Sequence, residues 1–146
     1  MNLKKPKFWD YKKPNIYSYL FLPITYLIRL LNLYKKIYQP KKFKIKTICV
    51  GNIYVGGTGK TPLASEIFKI IKNFGKKPAL VKKSYNYLYD EIQMLRKVGK
   101  TFTNKNRKKA INSLISSGYD VAILDDGFQD FSIKKDFSIL CFNSKQ

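Results

Sequence analysis

Residues 52–62 read Asn-Ile-Tyr-Val-Gly-Gly-Thr-Gly-Lys-Thr-Pro. In the strict phosphate-loop pattern, GxxxxGK[ST], the first glycine would fall at position 54, which is Tyr54 here. The physical requirements are still met. A phosphate needs inward-turned backbone N–H groups, an ammonium, a hydroxyl for a divalent cation and the start of a helix. Gly56, Gly57 and Gly59 supply the turn, Lys60 the charge and Thr61 the hydroxyl, and Pro62 is expected to open the helix as its first residue.

The flanks agree with this reading. Before the loop, KIKTICVGN (residues 44–52) is a short β-branched run that predicts a strand. After it, Leu63, Ile67, Ile70, Ile71 and Phe74 recur at helical spacing until Gly75. KPALVKK (77–83) predicts a second strand, and helices are expected from about Asp90 to Val98 and from about Asn104 to Ser117, with Gly118 as a C-terminal cap. YDVAILDD and DFSILCFN predict two further strands. Strands alternating with helices imply an α/β fold of the P-loop NTPase type, a mainly parallel sheet with flanking helices, over residues 44–146.

VAILDDGFQD (121–130) is the second motif. An apolar strand ending in Asp125 and Asp126 is how a P-loop enzyme holds carboxylates beside the phosphates, to bind magnesium directly or through water. Successive strand residues face opposite ways, so one of the two faces the metal unless the chain bends, as Gly127 would allow. From the residues alone, Asp90 before Glu-Ile-Gln-Met-Leu is a helix N-cap.

Residues 1–43 differ in character. Lysines flank an apolar stretch, Ile16–Tyr34, on both sides. Its nineteen residues approach the ~20 of a spanning helix, but Pro23 and Arg29 interrupt it. No small-residue cleavage site follows, as a secretory signal would require. The tyrosines and flanking lysines suit a helix lying in a membrane interface; packing on the protein's own body is the other reading.

The chain carries 29 Lys plus Arg against 9 Asp plus Glu, a net charge of +20. That balance favours an anionic partner, although part of it is also what a solvated, lysine-rich surface would carry. No recognised nucleic-acid motif is present, and the basic residues of the first segment surround an apolar stretch, so no nucleic acid is expected. With no histidine, catalysis by this chain rests on carboxylates, lysine and backbone. Cys49 and Cys141 lie in apolar runs without metal-ligand spacing and read as reduced core residues.

VGNIYVGGTGKTP followed by LDDGFQD, behind an N-terminus opening on Lys-Phe-Trp, resembles the tetraacyldisaccharide 4'-kinases, the lipid A 4'-kinases of Gram-negative bacteria. A Gly-Asn pair before a loop lacking its first glycine is that family's own variant, and the resemblance runs from Phe8 to Phe142. It implies transfer of the ATP γ-phosphate to the 4'-hydroxyl of a tetraacyldisaccharide 1-phosphate at the cytoplasmic face of the inner membrane. The N-terminal helix would then meet the membrane surface.

By position, the resemblance makes Tyr54, Val55, Gly56, Gly57, Thr58, Gly59, Lys60 and Thr61 the ATP loop, with Lys60 on the phosphates and Thr61 on Mg2+. Asp125 and Asp126 become the acidic pair at the metal, Gln129 a nucleotide-side residue, Asp90 the base for the sugar hydroxyl and Arg107 an acceptor or phosphate contact. The family's Arg-Gly-Tyr-Gly stands here as Lys83-Ser84-Tyr85-Asn86, and its histidine after the acidic motif as Asp130. The family continues past the equivalent of Gln146 into a second lobe, so the expectation is an N-terminal lobe of low activity alone. Another P-loop enzyme or switch with a soluble substrate is the alternative.

Overall fold

The structure is a computed structural model that describes residues 16–37, 40–52, 59–85 and 89–142. It falls into two compact units, Met1–Gln39 and Pro40–Gln146. The first contains α1 (Ile16–Leu20) and α2 (Leu22–Ile37). The single helix expected over this stretch is broken at Phe21. Proline disfavours a helical conformation in the residue before it and lacks an N–H, so Pro23 fits only near the start of a new helix. That start is secured by Thr25, whose amide and hydroxyl both donate to the Phe21 carbonyl, at 3.0 and 2.8 Å. Among the described residues no helix is long and apolar enough to cross a membrane.

The second unit has the order β1 (Lys46–Asn52), α3 (Lys60–Asn73), β2 (Pro78–Lys83), α4 (Tyr89–Val98), β3 (Thr101–Asn104), α5 (Arg107–Ser116), β4 (Val121–Asp125) and β5 (Phe137–Cys141). The strands form one parallel sheet in the order β3-β2-β4-β1-β5. The phosphate-loop strand β1 therefore lies between β4, which carries the acidic pair, and β5, with Ile48 opposite both Ile123 and Phe137.

Strand alternation divides the core into two layers, as expected for a sheet covered on both faces. Val50, Leu80, Val121 and Ile123 pack with Ala64 and Phe68 of α3 and Leu95 of α4. Cys49, Ala79, Val81, Ala122 and Leu124 pack with Ala110, Ile111 and Leu114 of α5, and with Phe43 and Ile133. Each fully buried aliphatic side chain contributes about 1.5–3 kcal/mol. Both cysteines are free and buried, and burial, the largest influence on each, pushes their thiols up.

The helix ends follow the glycines. Gly75 and Gly118 adopt φ 73° and 78°, and the residue after each donates back to the carbonyl five residues earlier, Lys76 to Ile71 and Tyr119 to Leu114. At the other end of α3, helix formation begins at Lys60, with Gly59 as a left-handed N-cap (φ 77°). Pro62 is thus the third helical residue and not the first. The N–H groups of a first helical turn have no partner inside the helix, so proline costs little at that place. Strand β3 was not anticipated; its four residues show no apolar alternation, and Asn104, expected to start a helix, ends it. Helix α5 starts later, behind Asn106, whose side chain accepts from the Lys108 amide at 2.9 Å.

Candidate nucleotide and metal site

Tyr54, Val55, Gly56, Gly57 and Thr58 lie outside the described residues. Its groups gather at the carboxyl ends of β1, β2 and β4, where open parallel sheets bind ligands. Gly59 turns the chain and Lys60 is the first residue of α3, so its ammonium stands at the helix N-terminus. Lys60 Nζ donates to Asn52 Oδ1 at 2.8 Å and lies 3.4 Å from Asp126 Oδ1. Thr61 Oγ1 donates to Asp125 Oδ2 at 3.2 Å. The loop lysine and loop hydroxyl therefore each meet one member of the acidic pair.

Both acids reach the same side because the strand stops at Asp125. Asp126 adopts φ 58°, a left-handed conformation that Asp tolerates better than most residues. The bend is at Asp126 itself and not at Gly127. Arg107, the first residue of α5, holds this turn from beneath. Its Nη2 donates to the Asp126 carbonyl at 2.5 Å and to the Asp125 carbonyl at 3.5 Å, and Nη1 is 3.6 Å from Asp130 Oδ2. The guanidinium is buried. Lys135 adds a second clasp, donating to the carbonyls of Phe128 and Asp130 at 3.2 and 2.7 Å. Gln129 is exposed on the same turn.

Asp90 occupies the second position of α4 and is exposed. It is thus a first-turn acid, favourable at the positive end of the helix, and not the N-cap the residues alone suggested. Its neighbour Glu91 makes the contact into the site. Lys82 Nζ donates both to Glu91 and, at 2.5 Å, to Asp125 Oδ2. Burial pulls the Lys82 ammonium down, but the charge and hydrogen bond of Asp125 and those of Glu91 outweigh it, so Lys82 is held above the ordinary 10.5.

Three members of the site were given no role from the sequence: Asn52, Lys82 and Glu91. Lys82 carried a signal, since a lysine alternating with Leu80 in a central strand must be buried, and a buried lysine demands carboxylates.

The donor set suits a hard divalent cation. Asp125 Oδ2 is engaged by Thr61 and Lys82, whereas Oδ1 is buried with no hydrogen-bond partner among the described residues. A buried carboxylate oxygen left in that state carries a desolvation cost that a cation would relieve. Among the described residues no three His, Cys, Asp or Glu side chains cluster to hold a metal.

A parallel sheet with flanking helices, a glycine-capped helix opening on Lys-Thr, and an acidic pair closing the neighbouring strand define a P-loop NTPase-like protein. The model of the family described as LpxK, tetraacyldisaccharide-1-P 4'-kinase, matches residues 15–94 and 88–146. The chain belongs to that family. It is 49% identical over 144 residues to the tetraacyldisaccharide 4'-kinase of Pelagibacter ubique (strain HTCC1062), covering 99% of this chain and 46% of that protein. To the enzyme of the same name from Rickettsia canadensis (strain McKiel) it is 34% identical over 163 residues, covering 100% of this chain and 49% of the other. The crystal structure of the "apo" form of LpxK from Aquifex aeolicus in complex with ATP superposes with a TM-score of 0.70 at 25% identity, over 87% of this chain and 49% of that one. The chain thus spans about half the length of the relatives it matches.

Proposed function

We propose that the chain carries the nucleotide side of an ATP-dependent kinase that phosphorylates the 4'-hydroxyl of a tetraacyldisaccharide 1-phosphate. The observation that carries this reading is the pairing of Lys60 with Asp126 and of Thr61 with Asp125 at the head of α3. Family membership and the ATP named in the Aquifex complex support it.

In this proposal the loop from Tyr54 to Gly59 turns its amides to the phosphates, and Lys60 leaves Asp126 for the terminal phosphates. Thr61 and Asp125, with Asp126, would hold Mg2+, which when bound would neutralise charge on the phosphate oxygens. Asp90 takes the proton of the sugar hydroxyl, Gln129 lies on the nucleotide side, and Arg107 acts through the acidic turn that it holds. Exposed apolar residues of α1 and α2, such as Leu27, Ile28 and Leu31, support seating residues 1–43 on the cytoplasmic face of the inner membrane, where a lipid acceptor lies.

Titration of ATP and Mg2+ into the chain tests the nucleotide site: Lys60→Ala should weaken binding at least about tenfold, and unchanged affinity overturns the assignment. Phosphoryl transfer depends on positioning, so the 146-residue chain alone is expected to bind ATP yet transfer phosphate slowly. Fast conversion of the lipid disaccharide 1-phosphate by this chain would refute the second half of that statement. Flotation with anionic liposomes tests the acceptor class. Membrane binding lost on removal of residues 1–40 supports a lipid, and no binding by either form points to a soluble acceptor.

A further inference from the structure

We propose that Lys82 is a positioning residue that ties the metal-side carboxylate Asp125 to the first turn of α4, where Asp90 stands. The proposal rests on the kinase reading above. Register creates the link. The pairing of β2 with β4 runs to Val81 opposite Leu124, and the next step along both strands brings Lys82 beside Asp125. Strand alternation turns both toward the layer containing α3 and α4, the side of Leu80 and Ile123.

Lys82 and Asp125 are 2% and 0% exposed, whereas Glu91 is about half exposed. The ammonium therefore joins a fully buried acid to one at the rim. Thr61 Oγ1 holds the same Asp125 oxygen. One connected set thus runs from α3 through Asp125 and Lys82 to α4, with Asp90 adjacent to its last member. Packing does not explain such a residue, because replacing a buried ion pair by an apolar side chain of similar volume is commonly neutral or stabilising. What the ammonium adds is orientation: it fixes which Asp125 oxygen is engaged, and it fixes where α4 begins relative to that oxygen.

Amide NMR of the full 146-residue chain with ATP bound, titrated with Mg2+, tests the link. In the natural chain Mg2+ should shift the amides of Asp125 and Asp126, and those of Asp90, Glu91 and Ile92 with the same midpoint. In Lys82→Met the shifts at Asp125 and Asp126 should persist while those at α4 are largely lost. Glu91→Gln keeps the buried Lys82–Asp125 pair and should lose the α4 response equally, which covers the case where Lys82→Met does not fold. Retention of the α4 response in either folded variant overturns the inference, as does its absence in a natural chain whose Asp125 amide responds. A natural chain that binds no ATP overturns the kinase reading, and this inference with it.

Discussion

Asp126 combines two demands in one residue. Its backbone is left-handed and its carbonyl is held by a buried guanidinium, while its side chain faces the loop lysine. Arg107→Ala would leave the Asp125 and Asp126 carbonyls without its guanidinium and remove the ion pair with Asp130, and should cost about 2–4 kcal/mol in urea denaturation. Arg107→Lys should recover little, since a single ammonium cannot reproduce the planar fork.

Asp130 contributes a pH dependence. Burial pushes its carboxyl up, but the Ser132 hydroxyl and amide, with Arg107 and Lys135, outweigh this and hold it below the ordinary 3.8. The stabilisation is therefore complete above pH 3.8 and is lost as pH falls through the lower folded value. Asp130→Asn should lower stability at neutral pH and flatten the acid limb of a stability–pH profile. An unchanged acid limb would remove Asp130 from the account.

At the scale of elements, the Gly-Asn pair ending β1 acquires physical content. A Cβ on Gly51 would lie 2.1 Å from Cδ2 of Phe128, so the absent side chain makes room for the acidic motif's own aromatic residue. Asn52 then orients Lys60. Gly51→Ala should destabilise by about 1–3 kcal/mol through overpacking. In combination with Phe128→Ala the two costs should fall short of additivity, as measured by a double-mutant cycle.

These elements also mark what could be read in advance. The loop, the acidic strand end and the glycine-terminated helices were legible because each rests on local chemistry: φ > 0, a helix N-terminus, or an apolar run bounded by acids. Strand β3 was not, since its place depends on pairing with β2 and not on its own pattern. The contacts of Lys82 and Glu91 were hidden for a similar reason, because only the parallel register of β2 with β4 brings them to Asp125. Asp90 read as a cap from its place before Glu-Ile-Gln-Met-Leu, whereas α4 begins at Tyr89 and so carries both Asp90 and Glu91 in its first turn.

For the whole molecule, the two units make different predictions. Removing residues 1–40 should leave ATP affinity within about twofold while abolishing flotation with anionic liposomes. A large loss of ATP affinity would mean that the N-terminal helices contribute to the nucleotide site.

The strand order has a consequence for synthesis. Strand β1 carries the loop, yet both strands that flank it come from beyond residue 120. On the ribosome, β1 leaves the tunnel early and waits as an unpaired apolar segment while α3 through α5 follow. Non-local pairing of this kind is slow and leaves edges exposed. The site thus closes last, and a nascent chain arrested before β4 should hold no nucleotide and be bound by chaperones.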